Sequence, residues 1–178
     1  MLKIHNQSAL RLPNVKKRAK ELQNIFATLS KAYISPKDSH KHNIIVRYGL
    51  IEVLLVNAKQ MRSINKNTRG IDKSTDVLSF PLAIMEFDWQ DLESSAPKDF
   101  IIPLGSIVIN VKCAKHCAKK FKHSLTDELT LLFIHALLHI FGFDHENDKG
   151  EQRTQEQKWI EYFKLPQSLI TRTAKVQS

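Results

Sequence analysis

The most informative part of this chain is the stretch His135-Ala-Leu-Leu-His139-Ile-Phe-Gly142-Phe-Asp144-His145. His135 and His139 are one helical turn apart, so on a helix their imidazoles project from the same face. Gly142 permits the left-handed backbone that ends a helix, and the chain can then bring His145 back toward the other two. Three neutral imidazoles leave the fourth position of a tetrahedral zinc site open for water. The spacing therefore predicts one catalytic Zn²⁺ per chain on a central helix.

A buried structural role is the alternative for these histidines. The predicted helix from about Asp127 to Phe141 is rich in leucine, isoleucine and phenylalanine, which indicates that it is buried. One histidine on such a helix is more often a hydrogen-bonded core residue than a ligand. Each buried ring nitrogen without a partner costs roughly 1–3 kcal/mol, so three histidines in this pattern favour a shared metal ion.

The pattern His-x3-His-x2-Gly-x2-His also resembles that of the metzincin peptidases. Their general base is a glutamate directly after the first histidine, but here this position is Ala136, which cannot accept a proton. Their methionine turn follows the third histidine, whereas this chain has no methionine after Met85. A metzincin-like metallopeptidase is therefore the less favoured interpretation.

A second group of motifs lies upstream of the histidines. Residues 65–69 read NKNTR and residues 75–81 read TDVLSFP. In this order and spacing, the motifs resemble the YbeY family of bacterial rRNA maturation factors. That family typically shows N-x-x-Y-R, T-D-V-L-S-F-P, L-G-D-I and H-G-x-L-H-L-x-G-Y-D-H. The resemblance covers about Val53 to His145.

The chain departs from the family pattern at four positions. Ala136 stands where the family has glycine, and Phe143 where it has tyrosine. Thr68 replaces the aromatic residue before Arg69. Ser106 replaces the aspartate of L-G-D-I, so that carboxylate is missing here. None of the four positions is a predicted ligand.

The resemblance implies an endoribonuclease specific for single-stranded RNA, and the three-histidine site predicts that zinc activates the water that hydrolyses the phosphodiester bond. The resemblance also implies a role in 16S rRNA 3′-end maturation and ribosome quality control, with rRNA precursors and small-subunit assembly intermediates as partners. Attack by a ribose 2′-hydroxyl in place of water stays open, as does the general base. A ribosome-assembly binding factor with a mainly structural zinc is the alternative function.

Three further residues are candidates for the site. Arg69 is the catalytic candidate, because its planar guanidinium matches two phosphate oxygens and stays protonated; the alternative is an ion pair with Asp72 or Asp76. Asp144 and Asp76 are candidates to accept a hydrogen bond from a ligand imidazole. For Asp76, capping of the turn before its strand is the favoured role.

The net charge of +9 is unevenly distributed along the chain. Residues 1–42 carry +7 and residues 109–124 carry +5, whereas residues 85–105 and 125–161 carry −4 and −5. A basic surface attracts a polyanion and makes binding salt-dependent, although solvated lysines explain the composition equally well. The charge supports an RNA partner without establishing it.

The sequence predicts a cytoplasmic location. It contains no apolar stretch long enough for a signal peptide or a membrane span. Cys113 and Cys117 are one helical turn apart and too few for a disulfide framework. We expect both to be reduced, and a second metal site that includes His116 is the alternative.

Periodicity and the resemblance together predict an α+β fold, with a small mixed β-sheet of about four strands covered by about five helices. Residues 1–166 are expected to form a single metallo-hydrolase domain, followed by a polar tail at residues 167–178. The segment Leu82–Leu104 is predicted to be a loop that either covers the site or is an insertion without a role. The predicted strands are Leu2–Asn6, Ile51–Asn57, Val77–Phe80 and Ile107–Val111, with Ile44–Tyr48 extending or pairing with the second. The predicted helices are Pro13–Ala32, Ala58–Asn67, the lysine-rich segment after Val111, Asp127–Phe141 and Asp148–Phe163.

Overall fold

A four-stranded mixed β-sheet organises the structure, which is a computed structural model. The structure describes residues 1–8, 15–33, 39–82, 97, 100–145 and 147–166. The strand order is β1-β2-β4-β3; β1 and β4 run parallel to β2, and β3 pairs antiparallel with β4. The strands are β1 (Leu2–Asn6), β2 (Gly49–Val56), β3 (Val77–Pro81) and β4 (Ile102–Asn110).

Helices cover both faces of this sheet, and the described residues contain six of them rather than about five. The predicted α+β class with a mixed four-stranded sheet is confirmed. The helices are α1 (Val15–Tyr33), α2 (Ser39–Tyr48), α3 (Ala58–Arg69), α4 (Val111–Lys120), α5 (Leu125–Ile140) and α6 (Glu151–Tyr162).

Helix α5 is the central helix of the fold. Most of its side chains are buried, and Leu131, Leu132 and Phe133 are fully buried. It begins after Ser124, whose side chain accepts a hydrogen bond from the Asp127 backbone N–H. The helix packs against β3, β4, α1, α4 and α6, so any group that it carries is held by two strands and three helices.

The prediction of a strand at Ile44–Tyr48 is wrong. These residues form the end of α2, where Ile44 and Ile45 are fully buried. Their β-branched side chains favour strands only weakly, and tertiary burial outweighs that preference. The strand starts at Gly49, where an added Cβ would lie 2.4 Å from the Ile45 carbonyl oxygen, so the tight change from helix to strand requires glycine.

Strand β4 begins five residues earlier than predicted, at Ile102. Pro103 argues against a strand in the sequence because it cannot donate to the ladder. The structure accommodates it beside a register irregularity between Leu50 and Ile51 of β2. The predicted loop Leu82–Leu104 therefore ends within β4, and the larger part of it lies outside the described residues, as does the predicted tail at residues 167–178.

Candidate metal centre

The three histidines converge at the end of α5. Gly142 has a φ of 91°, in the left-handed region, and its backbone N–H donates to the His139 carbonyl. The turn brings His145 against the other two rings, with centroid separations of 5.0 Å for His135–His139 and 5.1 Å for the other two pairs. One ring nitrogen from each histidine lies within 4.8 Å of the others. The three histidines are therefore positioned to bind a metal ion.

The three histidines span the boundary between core and solvent. His135 is 9 % exposed, His139 is half-buried and His145 is exposed. Burial lowers the pKa of the His139 imidazole to about 4, and the neighbouring His135 and His145 rings act in the same direction. His139 is consequently neutral at neutral pH, which is the form that binds a metal. Such a set of nitrogen donors fits a divalent transition-metal ion.

An open cavity of about 510 Å³ lies in front of the histidines. Arg69, Asp76 and Ser79 line the same cavity. The structure thus places Arg69, at the C-terminal end of α3, on the same cavity as the three histidines. The cavity joins a prospective metal site to a guanidinium group, which is an arrangement suited to a phosphate-containing ligand.

Two buried asparagines hold the connection between α3 and β3, which follows Arg69 in the chain. The Asn65 side-chain amide donates to the Lys73 carbonyl at 2.8 Å. The Asn110 amide donates to the Thr75 carbonyl and the Ser74 hydroxyl, each at 3.0 Å. Both asparagines are less than 5 % exposed. Asn65 belongs to the NKNTR motif, whereas the role of Asn110 has no clear signal in the sequence.

Asp72, one possible partner of Arg69, is engaged by Arg62. The Arg62 guanidinium donates to both Asp72 carboxylate oxygens, at 2.8 Å and 3.0 Å. Lys66 adds a contact at 3.5 Å. The hydrogen bond from Arg62 lowers the pKa of the Asp72 carboxyl. This surface pair is formed without Arg69.

Asp76 organises the start of β3. Its Oδ1 accepts hydrogen bonds from the Val77 backbone N–H at 2.9 Å and from the Thr75 hydroxyl at 3.0 Å. Its carbonyl accepts the Asn110 backbone N–H at 2.8 Å. These contacts agree with the capping role that the sequence favours for Asp76.

Asp144 stabilises the turn that carries His145. Its Oδ2 accepts a hydrogen bond from the Asn147 amide at 2.6 Å. Its carbonyl accepts the backbone N–H groups of Asn147 and Asp148. A hydrogen bond from a ligand imidazole to Asp144 remains a prediction.

Sequence reasoning missed two residues of the site, Gln152 and Glu156 on α6. The Glu156 Oε2 lies 3.3 Å from the His135 Nδ1, and the Gln152 Oε1 accepts the His145 backbone N–H at 3.0 Å. Both side chains are fully buried. The available signal was their spacing, since they share one helical face with Trp159 and Ile160. The many polar residues elsewhere on α6 obscure it.

The two cysteines are free thiols and half-buried. Burial is the main cause that raises the pKa of the Cys113 thiol to about 12. Within the described ranges, the three histidines are the one cluster of His, Cys, Asp and Glu whose atoms converge sufficiently for a metal. The alternative of a second site with His116 gains no support from these residues.

No helix in the described part of the chain has the length and apolar character needed to span a membrane.

Comparison with known proteins gives a consistent result. The family model described as Endoribonuclease YbeY matches residues 6–164. Endoribonuclease YbeY of Campylobacter jejuni (strain 81-176) is 46 % identical over 142 residues, which are 80 % of this chain and 87 % of the relative. Endoribonuclease YbeY of Helicobacter pylori (strain P12) is 47 % identical over 131 residues, or 74 % and 84 % of the two chains.

A solved structure shares the fold. The solution structure of TM1509 from Thermotoga maritima matches with a TM-score of 0.52 and 24 % identity. The match covers 90 % of this chain and 87 % of that one. At this identity the likeness establishes the fold alone.

Proposed function

The chain belongs to the YbeY family of endoribonucleases and is an RNA-cleaving hydrolase, and we propose that it cleaves single-stranded RNA at a zinc site formed by His135, His139 and His145. The observation that carries this proposal is the convergence of the three imidazoles at a cavity that Arg69 also lines. The resemblance of the sequence motifs supports the same assignment.

The metal would supply the reactive centre. A Zn²⁺ ion bound by three imidazoles acts as a Lewis acid and lowers the pKa of a coordinated water. The protein holds His139 neutral through burial, so a ligand nitrogen is available without loss of a proton. Ala136 occupies the position of the peptidase glutamate, which weighs against peptide hydrolysis.

Arg69 would bind the phosphate. A guanidinium group donates two parallel hydrogen bonds to phosphate oxygens and remains charged at any pH of interest. In the cavity, it would neutralise charge that develops on the phosphate during cleavage, which is a contribution of the kind made by oxyanion donors. We assign Arg69 as the catalytic residue that contacts the scissile phosphate.

The charge on α4 supports binding of a polyanion. Lys112, Lys115, Lys119 and Lys120 are all exposed, and residues 109–124 contain no acidic residue. Helix α4 packs against α3, the helix that ends in Arg69. An RNA strand that reaches Arg69 would therefore pass near a basic surface. We infer that α4 contributes to RNA affinity in a way that does not depend on the nucleotide sequence of the RNA.

The biological setting is proposed from the resemblance to the family. We propose that the substrate is an rRNA precursor, that the protein acts in 16S rRNA 3′-end maturation and ribosome quality control, and that it meets small-subunit assembly intermediates in the cytoplasm. The motifs of the YbeY family, which this chain carries in order, support these proposals.

The proposed function is tested by cleavage of end-labelled RNA. The substrates are a single-stranded RNA that spans a 16S 3′ junction and the same strand annealed to its complement. We expect cleavage of the single strand alone, loss of cleavage after chelation, and recovery when one equivalent of Zn²⁺ is added. Cleavage that continues in metal-free protein would contradict the proposal.

A further inference from the structure

Helix α6 places two buried polar side chains against the histidines. Gln152 and Glu156 are both fully buried, although glutamine and glutamate are rarely buried without a hydrogen-bonding function. The Glu156 Oε2 lies 3.3 Å from the His135 Nδ1. The Gln152 Nε2 lies 3.5 Å from the same atom, but as an amide N–H group it can only donate, so Glu156 is the group that can accept a hydrogen bond from the Nδ1. The Gln152 Oε1 accepts the His145 backbone N–H at 3.0 Å. One helix therefore contacts two of the three candidate ligands.

We propose that α6 sets the geometry of the metal site, with Glu156 as the positioning residue for His135. Its carboxylate accepts the N–H of the His135 Nδ1, which leaves the Nε2 as the metal-binding nitrogen. Gln152 holds the backbone at His145, so the exposed ligand stays near the other two. This inference rests on the proposed three-histidine site.

The chemical basis is the control of tautomer and ring orientation. A neutral imidazole has one N–H and one lone pair, and a hydrogen bond at one nitrogen determines which nitrogen faces the metal. A carboxylate in that position also makes the imidazole a stronger donor to the metal. Glu156 is buried and close to the Nδ1, so it meets the geometric requirement for this role.

Tyr33 of α1 links helix α6 to the turn that carries His145. Tyr33 of α1 donates a hydrogen bond to the Gln155 Oε1 at 2.8 Å and accepts one from the Trp159 indole. The Tyr33 ring also makes an edge contact with Phe143, at a centroid distance of 5.0 Å. Phe143 lies between Gly142 and His145, so Tyr33 connects the turn of the third histidine to α6.

A second buried histidine–glutamate pair provides a matched control. His123 and Glu128 are 2.6 Å apart, with side chains that are 5 % and 1 % exposed. Glu128 lies on α5, the same helix as His135, but its histidine partner is not one of the three ligands. Substitution of Glu128 thus disturbs a buried pair in the same domain without touching a ligand imidazole.

The test is zinc affinity, measured by competition with a chelator of known affinity. Glu156→Ala should weaken zinc binding by about 10- to 100-fold, and Glu156→Gln by a smaller factor, about three- to tenfold, because the amide oxygen can still accept a hydrogen bond. Gln152→Met should weaken binding about tenfold through the loss of the hydrogen bond to His145. Glu128→Gln and Glu128→Ala should leave the zinc Kd within about twofold of the original protein. Circular dichroism and the Tm of each metal-free variant report folding separately.

The outcomes separate the two proposals. Zinc binding by the original protein with an unchanged Kd in Glu156→Gln and Glu156→Ala would overturn the positioning role and leave the three-histidine site intact. An equal loss in the Glu128 variants would also overturn it, because the effect would then be general destabilisation. Absence of zinc binding by the original protein would overturn both proposals. If Glu156→Ala does not fold, the isosteric Glu156→Gln decides the question.

Discussion

Arg69 and His139 line the same cavity although they lie at the ends of different helices, α3 and α5. Strand β3 lies between these helices in the chain, and its residue Ser79 lines the cavity too. A ligand held by the histidines can therefore also meet the guanidinium group. In the proposed mechanism, His139 would bind the metal and Arg69 would bind the phosphate of the same RNA substrate.

Replacement of Arg69 should impair catalysis without removing the metal. For Arg69→Ala, we expect a loss of about 10²–10³-fold in kcat, because a donor to the charge of the transition state is removed. Zinc content should stay at about one per chain. Arg69→Lys should recover only part of the activity, since lysine lacks the planar fork.

Arg62→Ala is the matched control for Arg69→Ala. Arg62 lies on the same helix and pairs with Asp72 on the surface, so its loss should change kcat by less than about threefold. Single-turnover cleavage of labelled RNA measures both variants. Near-normal kcat in Arg69→Ala would remove Arg69 from the mechanism.

Removal of the metal should leave the protein folded. The central helix α5 is buried by apolar contacts with much of the domain, and these contacts do not depend on a ligand. Zinc in about 1,000-fold excess over its Kd raises the free energy of unfolding by about 4 kcal/mol. Chelation should thus lower the Tm by roughly 8–16 °C, while circular dichroism at 25 °C stays native. Unfolding at 25 °C on chelation would instead support the assembly factor with a structural zinc.

The three-histidine site on α5 was largely predictable from the sequence, because its geometry depends on residues that are close together in the chain. The spacing of His135, His139 and His145 follows from one helix and one glycine turn, so no long-range information is needed. Arg69 is different, because it lies at the end of α3, far from the histidines in the sequence, and only the fold brings it to the same cavity. Only the family resemblance pointed to it before the structure did.

Two features that the sequence analysis did not predict, the helix at Ile44 and Ile45 and the role of Glu156, depend on tertiary contacts. Ile44 and Ile45 have β-branched side chains, yet burial places them in a helix. Glu156 is one of many polar residues on α6, and its burial depends on how that helix packs against His135. Neither result can be read from local periodicity.

The lysines on α4 should control RNA affinity through charge. In the double variant Lys115→Glu/Lys119→Glu, two exposed basic groups are reversed, so RNA binding should weaken by at least about tenfold at 100 mM salt. The slope of log K against log salt concentration should also become shallower. Fluorescence anisotropy with labelled single-stranded RNA measures both quantities.

Arg153→Glu/Lys158→Glu makes the same change in net charge on α6. Both residues are exposed, but residues 125–161 already carry a net charge of −5. This control should alter RNA affinity by less than about threefold if the basic surface of α4 is the binding surface. An equal effect of the two double variants would show that net charge alone determines binding.

Cys113 should be unreactive in the folded protein. Burial raises the pKa of its thiol from 9.0 to about 12, so at pH 8 the thiolate fraction falls roughly a thousandfold. Alkylation by iodoacetamide should be slow in native buffer and fast in denaturant, as followed by mass spectrometry of the peptide that contains Cys113. Rapid native alkylation at pH 8 would show that the thiol is accessible and ionised.

Zinc K-edge X-ray absorption on the purified protein, with zinc content determined on the same sample, tests the three-histidine site most directly. We predict about one zinc per chain, coordinated by three imidazoles and one further light atom at about 2.0–2.1 Å, with no sulfur. Loss of this signal in His139→Ala would assign it to the site. Absence of zinc, or sulfur scattering near 2.3 Å that implicates Cys113 or Cys117, would contradict the account.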